Sequence, residues 1–160
     1  MFRRTAPVAA LVCALATAAE PLVPLTVCEV LRDLTVVDGK TVVVLGRYSF
    51  RQNGRWVGEQ TCEAAAATGA APQLWLAEDA KGGPKPPEDF ELDAAVLHRK
   101  LAEIQRHTAL GKFKFGNPDY DRWAFVYGRI EARKGDALKQ AAANIVVRGS
   151  GAVVFMTPEE

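Results

Sequence analysis

The residues with which this 160-residue chain could do chemistry are few: two cysteines past the leader, two histidines, three tryptophans and a scatter of arginines and carboxylates. His98 and His107 are nine apart in a stretch of helical periodicity, so they point to opposite quadrants and do not share a metal easily. No G-x-S-x-G, H-E-x-x-H or phosphate loop occurs. Asp38 with Arg47 and Arg129 could supply the acid and the arginines of a metal-dependent nuclease or other hydrolase, which is the enzymatic alternative. Asp38 sits in an Asp-Gly turn, however, where aspartate is expected on backbone grounds. Stacking is the sharper chemistry. Trp56 and Trp75 alternate with Val57 and with Leu74 and Leu76, which places two indoles where a sugar, a peptide or an aromatic ligand can stack. The plainer reading is that they pack under the Ala-rich stretch at 63–72.

The compartment decides what the cysteines do. "MFRRTAPVAALVCALATAAE" carries Arg3 and Arg4, an apolar run from Ala6 to Ala16, and Ala16-Thr17-Ala18 as a small-x-small cleavage site. Residues 1–19 are therefore expected to be a signal peptide, and 20–160 a single domain, periplasmic or secreted. The apolar run falls short of the roughly 20 residues of a spanning helix. A buried N-terminal helix and a lipid anchor at Cys13 are the alternatives, although Val12 is a poor residue before a lipidated cysteine. Cleavage removes two arginines and leaves 18 basic against 19 acidic side chains, a net charge of −1. That charge carries no nucleic-acid footprint. No stable membrane insertion, cofactor or metal is expected. Only Cys28 and Cys62 remain in the mature chain, and two thiols in an oxidising compartment usually pair. The loop they enclose would give about 3–4 kcal/mol by the chain-entropy model. A reactive thiol is the alternative.

The elements that must hold these residues follow from periodicity. Thr26 and Glu29 form a capping box, and Val27, Val30, Leu31 and Leu34 give a short helix one apolar face. A strand over 41–51 turns at Asn53-Gly54, a type I′ signal, into a second strand at 55–60. A third strand spans 73–77. A Pro/Gly-rich loop follows, then a helix over 91–107 with Ala94, Leu97, Leu101 and Ile104 as its buried stripe. Strand four covers 122–133, and strand five 144–156, interrupted at Gly149-Ser150-Gly151. Helix, three strands, helix, two strands is the plan of a mainly β, five-stranded OB-like Greek-key barrel, in which the helix between strands three and four plugs one end.

"VLGRYSFR" (44–51) and "VYGRIEAR" (126–133) share V-x-G-R-x-x-x-R on strands one and four, which are neighbours in such a barrel. The glycines are expected where the strands coil. Alternation sets Val42, Val44, Gly46 and Tyr48 against Val43, Leu45 and Arg47, and Ala124, Val126, Gly128 and Ile130 against Phe125, Tyr127 and Arg129. If the arginines face outward, Leu45, Phe125 and Tyr127 do so too and need a cover. The N-terminal helix, tied down through Cys28, is the expected one.

The C-E-V-L helix, the D-G-K-x-V-x-V-x-G-R strand, a second cysteine soon after the hairpin and the late G-R-I-E-A-R strand resemble a group of small secreted bacterial proteins of unknown function with an OB-like barrel. The resemblance covers about residues 25–133. It implies a fold and a compartment but no catalytic residue. The expectation is an exported, non-catalytic binding or interaction module. Its partner would be a small molecule, a glycan or a protein, and Trp56, Trp75, Arg47 and Arg129 are the candidate binding residues.

Overall fold

The computed structural model describes residues 20–88, 90–112 and 115–157. The expected signal peptide, 1–19, lies outside them. In chain order the elements are β1 (Leu25–Thr26), α1 (Val27–Arg32), α2 (Leu34–Val37), β2 (Thr41–Arg51), β3 (Gly54–Gly58), α3 (Glu63–Thr68), β4 (Gln73–Glu78), α4 (Ala94–Gln105), β5 (Tyr120–Ala132), β6 (Ala143–Val147) and β7 (Val153–Phe155). The sheet runs β2-β3-β4-β6-β5, and a β2–β5 pairing closes it into a barrel. Within that ring β4 and β6 are parallel and every other neighbour is antiparallel. This is the OB-like Greek-key arrangement that the order of elements predicts, with β2 to β6 as strands one to five.

The alternation holds on both long strands. Val44, Tyr48, Ala124, Val126 and Ile130 point into the barrel and join one buried cluster with Val57, Leu74, Leu76 and Ile145. Gly46 and Gly128 also face inward, and neither is a bulge: β2 and β5 pair without a break from Thr41↔Arg129 to Phe50↔Tyr120. Their role is close approach. A Cβ on Gly128 would lie 2.6 Å from Ile145 Cγ1 and 2.7 Å from the Val146 carbonyl oxygen. A Cβ on Gly46 would lie 2.8 Å from Val57 Cγ2 and 3.1 Å from the Gly58 carbonyl oxygen.

The two helices exchange the places expected for them. The capping box forms, with Glu29 N donating to Thr26 Oγ1 and Thr26 N to Glu29. The α1 residues Val27, Val30 and Leu31 then enter the interior cluster, so the N-terminal helix plugs the barrel. The helix α4 instead packs on the outer wall at β2. Val43, Leu45 and Ile104 are buried there, outside the interior cluster. Phe90, just before α4, stacks on Phe125 and meets Tyr127 edge-on, each at 5.6 Å between centroids. The outward apolar patch is thus covered by α4 and its approach rather than by the N-terminal helix.

The stripe on α4 shifts accordingly. Ile104 is buried, Leu97 and Leu101 are half-buried, and Ala94 is exposed. Lys100 is buried in their place, its ammonium bonded to Glu29 at 2.6 Å and to the Pro24 carbonyl at 2.8 Å. A long apolar stem with a satisfied cationic tip can cross such a contact.

Other departures are local. The hairpin forms, but Arg51 pairs with Gly54, so Gln52 and Asn53 are the central turn residues and neither has positive φ. The type I′ turn expected of Asn53-Gly54 is absent. The Ala-rich stretch at 63–72 carries α3, which ends on Gly69 in the left-handed conformation at φ +69 and buries Ala65 in the core. The fifth strand splits as its glycines suggest. Both β6 and β7 lie antiparallel to β5, with the Gly149–Ala152 segment looped out between them.

Candidate functional site

Trp56 on β3 and Trp75 on β4 are directly paired across the sheet. Their neighbours Val57 and Leu74 are fully buried in the barrel, so alternation turns both indoles outward. The rings stack at 5.8 Å between centroids with 25° between planes, and both side chains are half-buried. Gly54 makes room for them. It has φ +149, and a Cβ there would lie 2.5 Å from two carbons of the Trp75 ring. An open cavity of about 550 Å³ adjoins the pair, lined by Asn53, Ala71, Gln73 and Gln140 with the two indoles. That volume lies within the usual range for small-molecule sites.

A guanidinium flanks each indole. Arg51 Cζ lies 6.0 Å from the Trp56 ring centroid, and Arg133 Cζ lies 6.0 Å from that of Trp75. These residues are the last positions of the two V-x-G-R-x-x-x-R stretches. The Gly-Arg pairs stand out in the sequence, but it is the second arginine of each stretch that reaches an indole. It sits four residues beyond the first, an even spacing that keeps both on the outward face, and that spacing is the signal by which it could be found. Three hydrogen bonds hold Arg51 in place. It donates to the carbonyls of Phe50 at 2.8 Å and Tyr120 at 3.0 Å, and to Asp121 Oδ1 at 2.6 Å. Asp121 also accepts from the Ser49 hydroxyl at 2.8 Å and from Gly111 N at 2.7 Å. Burial alone would push its carboxyl above the usual range. The bonds from Ser49 and Gly111 and the Arg51 cation together outweigh burial and hold it below that range. Among the described residues, Arg133 Nη1 and Asn144 Oδ1 are buried without a partner. Asn144 shares the tryptophan rung, directly opposite Trp75 on β6.

The other candidate binding residues are placed elsewhere. Arg47 faces outward as expected, but its Nη1 donates to the Ala109 carbonyl at 2.7 Å and holds the segment after α4. Arg129 donates to the Gly82 carbonyl at 2.9 Å and to Glu131 at 2.9 Å. Asp38 accepts from Ala132 N at 2.9 Å. Each is thus committed to a different backbone segment. Among the described residues, no hydrogen bond or ion pair brings the three together, and none of them lines the tryptophan cavity. The face therefore pairs Trp56 and Trp75 but leaves Arg47 and Arg129 outside it.

Cys28 and Cys62 stand in disulfide geometry, with Cα atoms 5.5 Å apart. They join α1 to the residue that opens α3. Beside them Glu59 is buried at the end of β3. It accepts from Cys28 N at 3.1 Å and lies 3.0 Å from His107 Nε2, so one carboxylate braces the start of α1 against the end of α4. His98 is exposed on α4 and takes no part in this contact. Among the described residues, no group of three or more His, Cys, Asp or Glu is placed to hold a metal. Trp123, the third tryptophan, lines a separate cavity of about 710 Å³ between α4 and β5, with Leu101, Leu110 and Met156. Of its polar lining, Asp121 is bonded as above, Arg122 lies over the Phe155 ring at 4.5 Å, and His98 stands on the α4 side.

Comparison with protein-family models, with curated proteins and with solved structures gives no match to this chain.

Proposed function

We propose that the protein is an exported, non-catalytic binding module that takes its ligand on the Trp56–Trp75 face. The observation that carries this reading is the stacked, half-exposed indole pair beside an open cavity. Buried aromatic packing would enclose both rings, and these are left partly in solvent with their flanking arginines in place. Export is supported by the leader-like sequence of residues 1–19 and by the Cys28–Cys62 geometry, because structural disulfides belong to oxidising compartments. No helix among the described residues is long and apolar enough to cross a membrane. The resemblance to small secreted bacterial proteins with an OB-like barrel belongs to the same proposal. The enzymatic alternative needs Asp38, Arg47 and Arg129 to converge, and their separate backbone commitments favour the binding reading.

The test is a parallel screen of glycans, peptides and metabolites against the mature protein and its Trp56→Ala and Trp75→Ala variants. At least one class should bind the parent and lose about 1–3 kcal/mol in each variant, the range found when aromatic stacking is removed. Binding that both variants retain at full strength would place the ligand elsewhere.

A further inference from the structure

We infer that the ligand of the Trp56–Trp75 face is a neutral saccharide, an inference that rests on the binding reading above.

The lining of the cavity points there first. Among the described residues, apart from the indoles and Ala71, it consists of three amides, Asn53, Gln73 and Gln140, and no charged side chain. A carboxamide both donates and accepts, as each sugar hydroxyl does, so the two match in any orientation of the hydroxyl proton. These amides also retain capacity. Gln73 Nε2 donates to the Gln140 carbonyl at 3.0 Å, which leaves Gln73 Oε1 unspent. Among the described residues the Asn53 and Gln140 side chains make no hydrogen bond, and both residues are exposed. Half-exposed indoles supply the apolar surface on which the C–H face of a pyranose rests.

The surroundings disfavour the other classes. A peptide added as a strand needs a free backbone edge. At the tryptophan rung none exists, because Trp56 pairs with Ser49 and Trp75, and Trp75 pairs with Trp56 and Asn144. An anionic ligand needs an available cation. Arg51 is held in an ion pair with Asp121 that offsets its charge, and among the described residues the unpartnered Nη1 of Arg133 is buried away from solvent. A cationic ligand needs a carboxylate, and none lines the cavity among the described residues. A planar aromatic needs a slot between rings, and the two indoles already stack on each other. What remains exposed is ring surface bordered by amides, which suits a neutral, hydroxyl-rich and partly apolar ring.

The experiment is calorimetric titration of the mature protein with cellotetraose, tetra-N-acetylchitotetraose, mannotetraose and galactotetraose. Oligoglucuronate, a set of hexapeptides and adenosine form the comparison arms. At least one neutral tetrasaccharide should bind. Trp75→Ala should weaken it at least about tenfold, and Asn53→Ala or Gln140→Ala about threefold or more. The amide variants remove no hydrogen bond of the folded chain, so their melting temperatures should match the parent and the loss cannot be one of folding. If none of the neutral saccharides binds, or if the amide variants bind at full strength, the inference is overturned. Trp75-dependent binding of oligoglucuronate, a peptide or adenosine alone would overturn the saccharide and leave the binding face standing. Absence of any Trp75-dependent binding would remove both.

Discussion

Replacing Gly128 by alanine probes why two long strands each carry a glycine in mid-run. The added methyl points into the barrel, where it would meet Ile145 Cγ1 at 2.6 Å and the Val146 carbonyl oxygen at 2.7 Å. Ordinary contacts to a Cβ begin near 3.4 Å, so the overlaps are about 0.8 and 0.7 Å. The Ile145 side chain can rotate in part. The Val146 carbonyl cannot, because Val146 is paired with Arg129 on the same strand as the new methyl. Overpacking a filled core costs about 1–3 kcal/mol, and a backbone obstacle puts Gly128→Ala at the upper end. For a domain of this size that is a fall of roughly 6–10 °C in melting temperature. Gly46→Ala should cost less, since its worst contact is the end of the Val57 side chain at 2.8 Å and the nearest carbonyl stands at 3.1 Å. Gly151→Ala is the control, with nothing within 4 Å of the place its methyl would take and no positive φ. Thermal and urea unfolding followed by circular dichroism would rank the three. A Gly128→Ala protein within about 0.5 kcal/mol of the parent would refute the close-approach argument.

Three further outcomes follow from particular contacts. Ile104→Ala should cost about 2–5 kcal/mol because Ile104 is fully buried where α4 meets the wall. Leu101→Ala, at a half-buried position, should cost only about 1 kcal/mol, and urea melts showing the reverse order would contradict the placement of α4. Asp121→Asn should lose about 1.5–3 kcal/mol near neutral pH, since it weakens charged hydrogen bonds to Ser49, Arg51 and Gly111. The folded carboxyl lies below its ordinary value, so its contribution is complete above about pH 4 and fades as pH falls through the folded pKa. Stability difference against pH should therefore narrow under acid, and a difference that widens there would reverse the sign of the shift. The mature protein should show no free thiol under denaturing, non-reducing conditions, and Cys28→Ser with Cys62→Ser should cost about 2–5 kcal/mol in urea melts.

The parts of this fold that can be read from sequence are those set by short-range periodicity. The alternation along 41–51 and 122–133 assigns inward and outward faces because a strand offers only two, and an unbroken register keeps them. The outward aim of Trp56 and Trp75 follows from the same rule, with Val57 and Leu74 as inward markers. What periodicity cannot give is the partner of a face. The apolar stripes of α1 and α4 each say that something is covered, and nothing local says which helix enters the barrel and which lies on its wall. Lys100 shows the same limit, since its burial depends on Glu29 and Pro24, more than seventy residues earlier in the chain. Asn53-Gly54 misleads for a related reason. Gly54 is needed for the passage of Trp75 over β3, a tertiary demand, and the turn itself falls one residue earlier. The arginines beside the indoles are visible as a repeat, but the rings they flank lie on other strands, so the repeat alone does not show what they meet.

The binding face itself is most directly tested by the three indole N–H resonances in a ¹⁵N–¹H spectrum of the mature protein, recorded as the best oligosaccharide from the titrations is added. Trp56 and Trp75 line the proposed site, and Trp123 lines a separate cavity across the barrel wall. The Trp56 and Trp75 signals should move together and saturate at one dissociation constant, with Trp123 unchanged. Movement of the Trp123 signal alone would place the ligand in the groove under α4 and contradict the account.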